Sequence, residues 1–345
     1  ITAVYHDFYY YARKLFKSRY AWAFPPDFIV PQAYILPKRK KDFLSGRPIV
    51  SFVQACGRGL LEATARALYL MIQRAFPDAL QAGDVYKLME LVHAFVTHAD
   101  PNLELQGKNQ DLAGFFTSVL PHEFQDSWTH LRQRYGQFHH IDDDSVITVD
   151  LHEKESAMRM FHGHRRRRAK SQVKLWLCDI PQIIEMALKM QWFNVGGRCF
   201  KQVCGSPMGS PLSPALCLMV IACKEQIWHD TFRNTLSGFK SEALFMRYVD
   251  NRAVLASAHA FSTHALRQFI LPQFYGGRIV LEEEQEWTFL GFDIDLIQRR
   301  IKFDFKLAQE SFISVHSATP PKVILSGVLA RAAMIRRCSF PREQA

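Results

Sequence analysis

The chain has no C-x-x-C pair, no apolar run approaching a membrane span, and no initiator methionine. Its seven cysteines are odd in number and follow no metal-ligand spacing, which argues against a disulfide framework or a structural zinc site. Reduced thiols in an intracellular compartment are the expectation, with no disulfide partner. The longest apolar run, Ala215 to Cys223, falls far short of the ~20 residues a membrane helix needs, so no membrane partner is expected. The first thirty residues carry no signal-peptide pattern, and no other targeting signal is legible. A chain that opens on Ile1 reads as a fragment or a partial gene product.

What is present is globular composition: 345 residues, 48% hydrophobic and 22% charged, enough for one large domain or two to three lobes. The formal charge of +10 suits a polyanionic partner, because cations that neutralise phosphates release condensed counterions. On charge alone, nucleic acid is only modestly favoured over an ordinary basic surface.

Residues 1–30 mix aromatic and basic side chains and end at Pro25-Pro26, which predicts a helix followed by a loop; packing is the expected use of its tyrosines. From Ala33 to Val53 the pattern is strand, basic loop, strand, with Lys38-Arg39-Lys40-Lys41 answered by Arg47. Such an arch is either a solvated turn or a holder for a triphosphate, with point charges from Lys and a bidentate fork from Arg. Residues 58–98 carry helical spacing, predicting two amphipathic helices joined around Pro77 and Gly83. Residues 139–172 hold acidic and basic blocks with five histidines whose spacing fits no familiar metal site; a charged, flexible insertion is expected.

A short helix is predicted from Pro181 to Trp192 and a hairpin from Phe193 to Lys201 through Gly196-Gly197. Between Gln202 and Pro214 stand three prolines and two glycines, a stiff turn expected to admit a ligand close to its backbone. An apolar helix should follow from Ala215 towards Trp228. Phe245 to Leu255 reads as a β-hairpin with a Val-Asp-Asn tip, since Asp and Asn tolerate the left-handed backbone of a tight turn. The remaining expectations are a helix through Phe261–Phe269, a strand at Arg278–Leu281 and another at Phe289–Asp295.

Five stretches, taken in order, resemble those of a reverse transcriptase, most closely of the Penelope-like branch, over roughly residues 30–305. Asp111-Leu-Ala-Gly-Phe115-Phe116-Thr117-Ser118-Val119 resembles the first palm motif, an Asp closing a strand with an aromatic five residues on. Gln202 to Pro214 is similar to that branch's Q-x-x-G-x-x-M-G-S-P-L-S-P almost residue for residue, the most specific signal. Tyr248-Val249-Asp250-Asn251 resembles the Y-x-D-D hairpin with its last Asp replaced. Phe289-Leu290-Gly291-Phe292 is similar to an element that supports the primer end, and the Lys38–Arg47 arch to the fingers motif that holds the incoming triphosphate.

The resemblance implies an α+β right-hand polymerase fold: a ferredoxin-like palm (antiparallel sheet with helices), fingers, and a short or truncated thumb. The implied division is 1–103 N-terminal extension and fingers, 104–138 palm, 139–172 insertion, 173–310 palm, and 311–345 partial thumb or tail. The implied activity is RNA-directed DNA synthesis, extending a DNA primer on an RNA template with dNTPs, and the implied compartment is the nucleus. The metal cofactor implied is Mg²⁺, with Mn²⁺ as the alternative, held by Asp111, Asp250, Asn251 and the Leu112 carbonyl. Lys38, Lys40 and Arg47 are implied to bind phosphates, and Phe116 to exclude a 2′-hydroxyl. Gln202, Gly205, Met208 and Gly209 are implied to line the nascent base pair.

The departures from the pattern are local. Asn251 keeps an oxygen but loses a charge at the more peripheral ligand position. Arg252 could pair with Asp250 and compete with a metal. The strand before Asp111, Gln106-Gly-Lys-Asn-Gln110, is more polar than a central palm strand should be. A second reading is therefore a catalytically impaired palm kept as a nucleic-acid-binding scaffold or a decaying remnant. A telomerase-like enzyme is the third, its template-RNA-binding domain having no match here.

Overall fold

The computed structural model of the chain describes residues 2–37, 46–80, 84–142, 144–151, 172–284, 288–303 and 321–340. Lys38 and Lys40 lie outside the described residues, as does most of the charged segment expected at 139–172. The chain divides into two compact units: unit one is Ile1–Ala79 with Gly114–Gln226, and unit two is Leu80–Ala113 with Ile227–Ala345.

Unit one opens with α1 (Thr2–Tyr20), whose Tyr9, Ala12, Phe16 and Tyr20 are buried at helical spacing. The Tyr20 hydroxyl donates to Asp179 at 2.8 Å and accepts from the Trp176 N–H at 3.1 Å, so the aromatic stretch is used for packing. The two strands expected on either side of the basic loop form as β1 (Gln32–Pro37) and β2 (Gly46–Ser51), paired antiparallel; the loop itself lies outside the described residues. In α2 (Arg58–Ala75), Leu60, Leu61, Ala65, Leu68, Met71 and Ile72 are all buried, the positions whose spacing predicts the helix.

The chain then enters unit two. Asp84 caps α3 (Val85–His98), its carboxylate accepting from the Tyr86 N–H at 2.8 Å, and β3 (Leu105–Ala113) follows.

Unit one resumes with α4 (Phe115–Ser118) and α5 (Pro121–His139), where Glu123 accepts from the Leu120 N–H at 2.8 Å and Pro121 starts the helix. Next come β4 (Val146–Asp150), β5 (Gln172–Trp176) and α6 (Ile180–Lys189). The expected hairpin is β6 (Trp192–Val195) and β7 (Arg198–Lys201); it joins the first two strands in a sheet of order β2-β1-β6-β7. The apolar run Ala215–Cys223 is buried throughout within α7 (Ser213–Thr231), as a helix apolar on all sides must be.

Unit two continues with α8 (Arg233–Ser237), β8 (Ala243–Tyr248), β9 (Asn251–Ser257), α9 (Ala258–Ser262), α10 (His264–Phe269) and β10 (Val280–Glu283). After these come β11 (Thr288–Phe289), β12 (Phe292–Asp295), β13 (Arg300–Phe303) and α11 (Pro321–Cys338). The main sheet runs β10-β3-β9-β8, every neighbour antiparallel. Counted along the chain this is order 4-1-3-2 with helical crossovers, the ferredoxin-like arrangement. Residues 114–226, the second part of unit one, are contained in the crossover between β3 and β8.

Alternation gives the sheet two apolar faces. Met246, Ala253 and Leu255 pack with Leu88, Met89, Val92 and Val96 of α3 and with Phe289 and Phe292. Val254 and Ala256 pack with Trp228, Leu266 and Phe269.

Local details differ from expectation where a hydroxyl or a turn intervenes. The helix expected through 261–269 is two helices, because Ser257 caps one and Thr263 caps the next, accepting from the Ala260 and Leu266 amides. Phe289–Asp295 is a tight hairpin: Phe289 pairs with Phe292 across Leu290 and Gly291, both left-handed at φ 55° and 84°. The strand expected at 278–281 lies two residues later.

Candidate active site

The turn between β8 and β9 is shorter than the three-residue tip expected. Tyr248 pairs with Asn251, leaving Val249 and Asp250 as the turn, so Asn251 is the first residue of a strand. Val249 has φ 57°, a left-handed backbone that a β-branched residue adopts only under strain. The Val249 carbonyl accepts from Arg247 Nη1 at 3.2 Å.

Sheet register brings the carboxylates together. Asp111 pairs with Asn251 on one side and Glu282 on the other. The Leu112 N–H donates to the Asp250 carbonyl at 3.0 Å, joining the end of β3 to the turn. Directly opposed residues share a face, so Glu282, Asp111, Asn251 and Tyr248 form one row across four strands. Asp111, Asp250 and Asn251 are all partly exposed, and Asn251 Nδ2 donates to Asp250 Oδ1 at 3.2 Å.

The electrostatics follow from this crowding. Burial first, then the charges of Asp250, Glu284 and Glu282, push the Asp111 carboxyl up to about 6 against a hydrogen bond from the Leu112 N–H. A carboxyl raised by burial and by like charges is one that a cation would relieve. Two carboxylates, an amide oxygen and a main-chain carbonyl are hard oxygen donors, the chemistry that suits Mg²⁺. Sequence reasoning missed Glu282 and Glu284; the Glu282-Glu-Glu284 run is visible, but its pairing with β3 is non-local.

Arg252 does not pair with Asp250 as the sequence allowed. It is fully buried on the opposite face, where Nη2 donates to Gln110 Oε1 and to the Phe269 carbonyl, both at 2.6 Å. Alternation carries its side chain away from the carboxylates. The polar β3 is accounted for in the same way: Gln110 holds Arg252, Asn109 Nδ2 donates to the Thr288 carbonyl at 2.9 Å, and Lys108 pairs with Glu283 at 2.9 Å.

The other predicted residues lie in unit one. Arg47 is exposed on β2, opposite Leu36. Phe116 sits on α4, and its carbonyl accepts from the Ser206 N–H at 2.7 Å. Gln202 Nε2 donates to the Cys204 carbonyl at 2.8 Å, and the Met208 carbonyl accepts from the Val50 N–H at 2.7 Å. A Cβ at Gly205, φ 70°, would collide with the Phe116 carbonyl and Thr117, and one at Gly209, φ 108°, with the Val50 carbonyl. The glycines thus admit neighbouring protein backbone to the turn, where the sequence suggested a ligand. Their role is to dock the Gln202–Pro214 turn on α4 and β2. The Ser213 hydroxyl stiffens it further, donating to the Pro207 carbonyl at 2.7 Å and lying 2.5 Å from the Ser206 hydroxyl.

No family model and no curated protein matches the chain. Solved structures do. Telomerase from Candida tropicalis, in complex with a TWJ fragment of telomeric RNA, is 13% identical with a TM-score of 0.58, covering 95% of this chain and 52% of that one. Telomerase from Candida albicans with a TWJ fragment is 13% identical at TM-score 0.55, covering 90% and 51%. Apo telomerase from Candida tropicalis is 13% identical at TM-score 0.58, covering 81% and 50%. The chain spans about half the length of these structures. With the 4-1-3-2 sheet already traced, this likeness shows the fold: the chain has an α+β, right-hand polymerase-like fold.

Proposed function

We propose that the chain is the polymerase portion of an RNA-directed DNA polymerase, extending a DNA primer on an RNA template by nucleotidyl transfer from dNTPs. The observation that carries this reading is the register that sets Asp111 beside the Asp250 turn on adjacent strands of the ferredoxin-like sheet. Asp111, Asp250, the Asn251 side-chain oxygen and the Leu112 carbonyl would hold Mg²⁺ or Mn²⁺, which when bound activates the primer 3′-hydroxyl and neutralises the departing pyrophosphate. Arg47, with Lys38 and Lys40, would clamp the triphosphate. The Phe116 ring would select against a ribose 2′-hydroxyl, and Gln202 and Met208 would face the nascent pair from a turn that Gly205 and Gly209 hold in place. A DNA primer makes the nucleus the proposed compartment.

Two lineages compete for this activity. The telomerase neighbours, two of them in complex with a TWJ fragment of telomeric RNA, favour a telomerase-like enzyme with an RNA partner. The Gln202–Pro214 sequence favours a Penelope-like retroelement origin. A scaffold reading retains one observation: Asn251 is neutral and hydrogen-bonded to Asp250, which leaves the row one carboxylate short. Against the scaffold, Arg252 is bonded to Gln110 and the Phe269 carbonyl on the far face and does not compete for Asp250.

Primer extension on matched RNA and DNA templates, with Mg²⁺ and separately Mn²⁺, tests the proposal. Extension on RNA that is abolished in Asp111→Ala is expected. Tight RNA–DNA binding without extension under either ion would replace the enzyme by the scaffold, and restoration of Mg²⁺-dependent extension by Asn251→Asp would trace the loss to that ligand.

A further inference from the structure

The central strand β3 carries Gly107-Lys108-Asn109-Gln110 where an alternating apolar pattern would normally specify register. A strand of this kind can slip by one residue at little hydrophobic cost, and a slip would turn Asp111 to the other face. Something other than apolar burial must hold it.

Arg252 is placed to do so. It stands opposite Gln110 on β3 and opposite Arg247 on β8, one pair along from the Asp111–Asn251 pair. Its Nη2 reaches both Gln110 Oε1 and the Phe269 carbonyl at 2.6 Å, and Gln110 Nε2 donates to the Ile270 carbonyl at 2.9 Å. Its guanidinium lies over the rings of Phe269, Phe274 and Tyr275 at 4.1, 5.0 and 5.4 Å from their centroids. The two side chains therefore join β9 and β3 to each other and to consecutive carbonyls at the end of α10. A slipped register would strand a buried guanidinium from these acceptors, a far larger penalty than an apolar mismatch.

We infer that Arg252, acting through Gln110, is a positioning residue that fixes the register of β3 against β9 and so holds Asp111 beside Asp250. The catalytic consequence rests on the polymerase reading; the register claim does not. Arg252→Met removes the buried donor and leaves Gln110 and the Phe269 carbonyl without it, while Gln110→Met, the milder variant, removes one acceptor and leaves the other, so these two changes are informative.

Amide hydrogen exchange on the full chain reads the register directly at the Leu112 N–H, which is bonded to the Asp250 carbonyl. Exchange there should quicken about 10-fold in Arg252→Met and less in Gln110→Met, with partial recovery in Arg252→Lys, while β4–β5 amides keep their protection. Single-nucleotide incorporation should lose about 10–100-fold in kcat with little change in the dNTP KM, because loosening the β3–β9 pairing takes Asp111 off its place beside Asp250 and a misplacement of even about 1 Å can cost ~100-fold. Unchanged Leu112 protection in a folded Arg252→Met protein, or in Gln110→Met should the first fail to fold, overturns the inference. A wild-type chain that extends no primer refutes the polymerase reading, and Leu112 exchange still decides the register.

Discussion

Replacing Asp111 by Asn should remove activity and make the protein more stable. The carboxyl is raised from 3.8 to about 6 by burial and by the neighbouring Asp250, Glu284 and Glu282. The folded chain thus holds this proton to higher pH than the unfolded chain does. Between about pH 4 and 6 the folded state binds more protons, so the contribution to stability falls as pH rises and the full penalty is present above pH 6. A rise of this size corresponds to roughly 3 kcal/mol, which solvent at the partly exposed site reduces to about 1–2 kcal/mol. Asn cannot ionise and escapes the penalty. Urea unfolding followed by tryptophan fluorescence, with buried Trp228 reporting from the same unit, should give Asp111→Asn an advantage of about 1–2 kcal/mol at pH 8. That advantage should vanish at pH 4, where wild type is protonated. An Asn variant less stable at pH 8, or an advantage independent of pH, would mean that the ionised Asp111 carboxylate carries no electrostatic penalty.

Other perturbations follow from particular contacts. Gly209→Ala should cost roughly 2–4 kcal/mol, measured by denaturant midpoint, because its methyl meets the Val50 carbonyl at a left-handed φ; a neutral result would deny the docking of the turn on β2. Glu282→Gln should bring the Asp111 carboxyl down from about 6 when titrated by carbon-13 NMR, and no movement would mean the cross-strand pair is not electrostatically coupled. Val249→Gly should stabilise slightly, by up to about 1 kcal/mol, since glycine relieves the φ of 57° but adds chain entropy; a loss above that would show the valine is unstrained.

What was legible in the sequence was what local chemistry encodes. Helical spacing placed the buried positions of α2, the glycine pair placed the β6–β7 hairpin, and the Gln202–Pro214 turn stood out by its prolines and glycines. Both Asp111 and Asp250 were nominated through motif resemblance, and register then set them together. Pairing partners in a sheet are non-local, so neither the Glu282–Asp111 pair nor the Gln110–Arg252 contact could be read in advance. The same limit made β3 look too polar and Arg252 look hostile to a metal. Each was half of one interaction, the halves standing 142 positions apart in the chain. The break at Thr263 was missed for a different reason: a threonine within an apolar helical pattern is compatible with continuation, and only its capping geometry ends the helix.

On the polymerase reading Asp111 and Asp250 act as one unit, which single-turnover incorporation on an RNA template can check. Asp111→Ala, Asp250→Ala and the double variant should each fall by about 1,000-fold or more to a common floor, since residues that act together are not additive. A double variant that loses the product of the two single effects, or a single variant that keeps the wild-type rate, would mean that the two carboxylates do not work together.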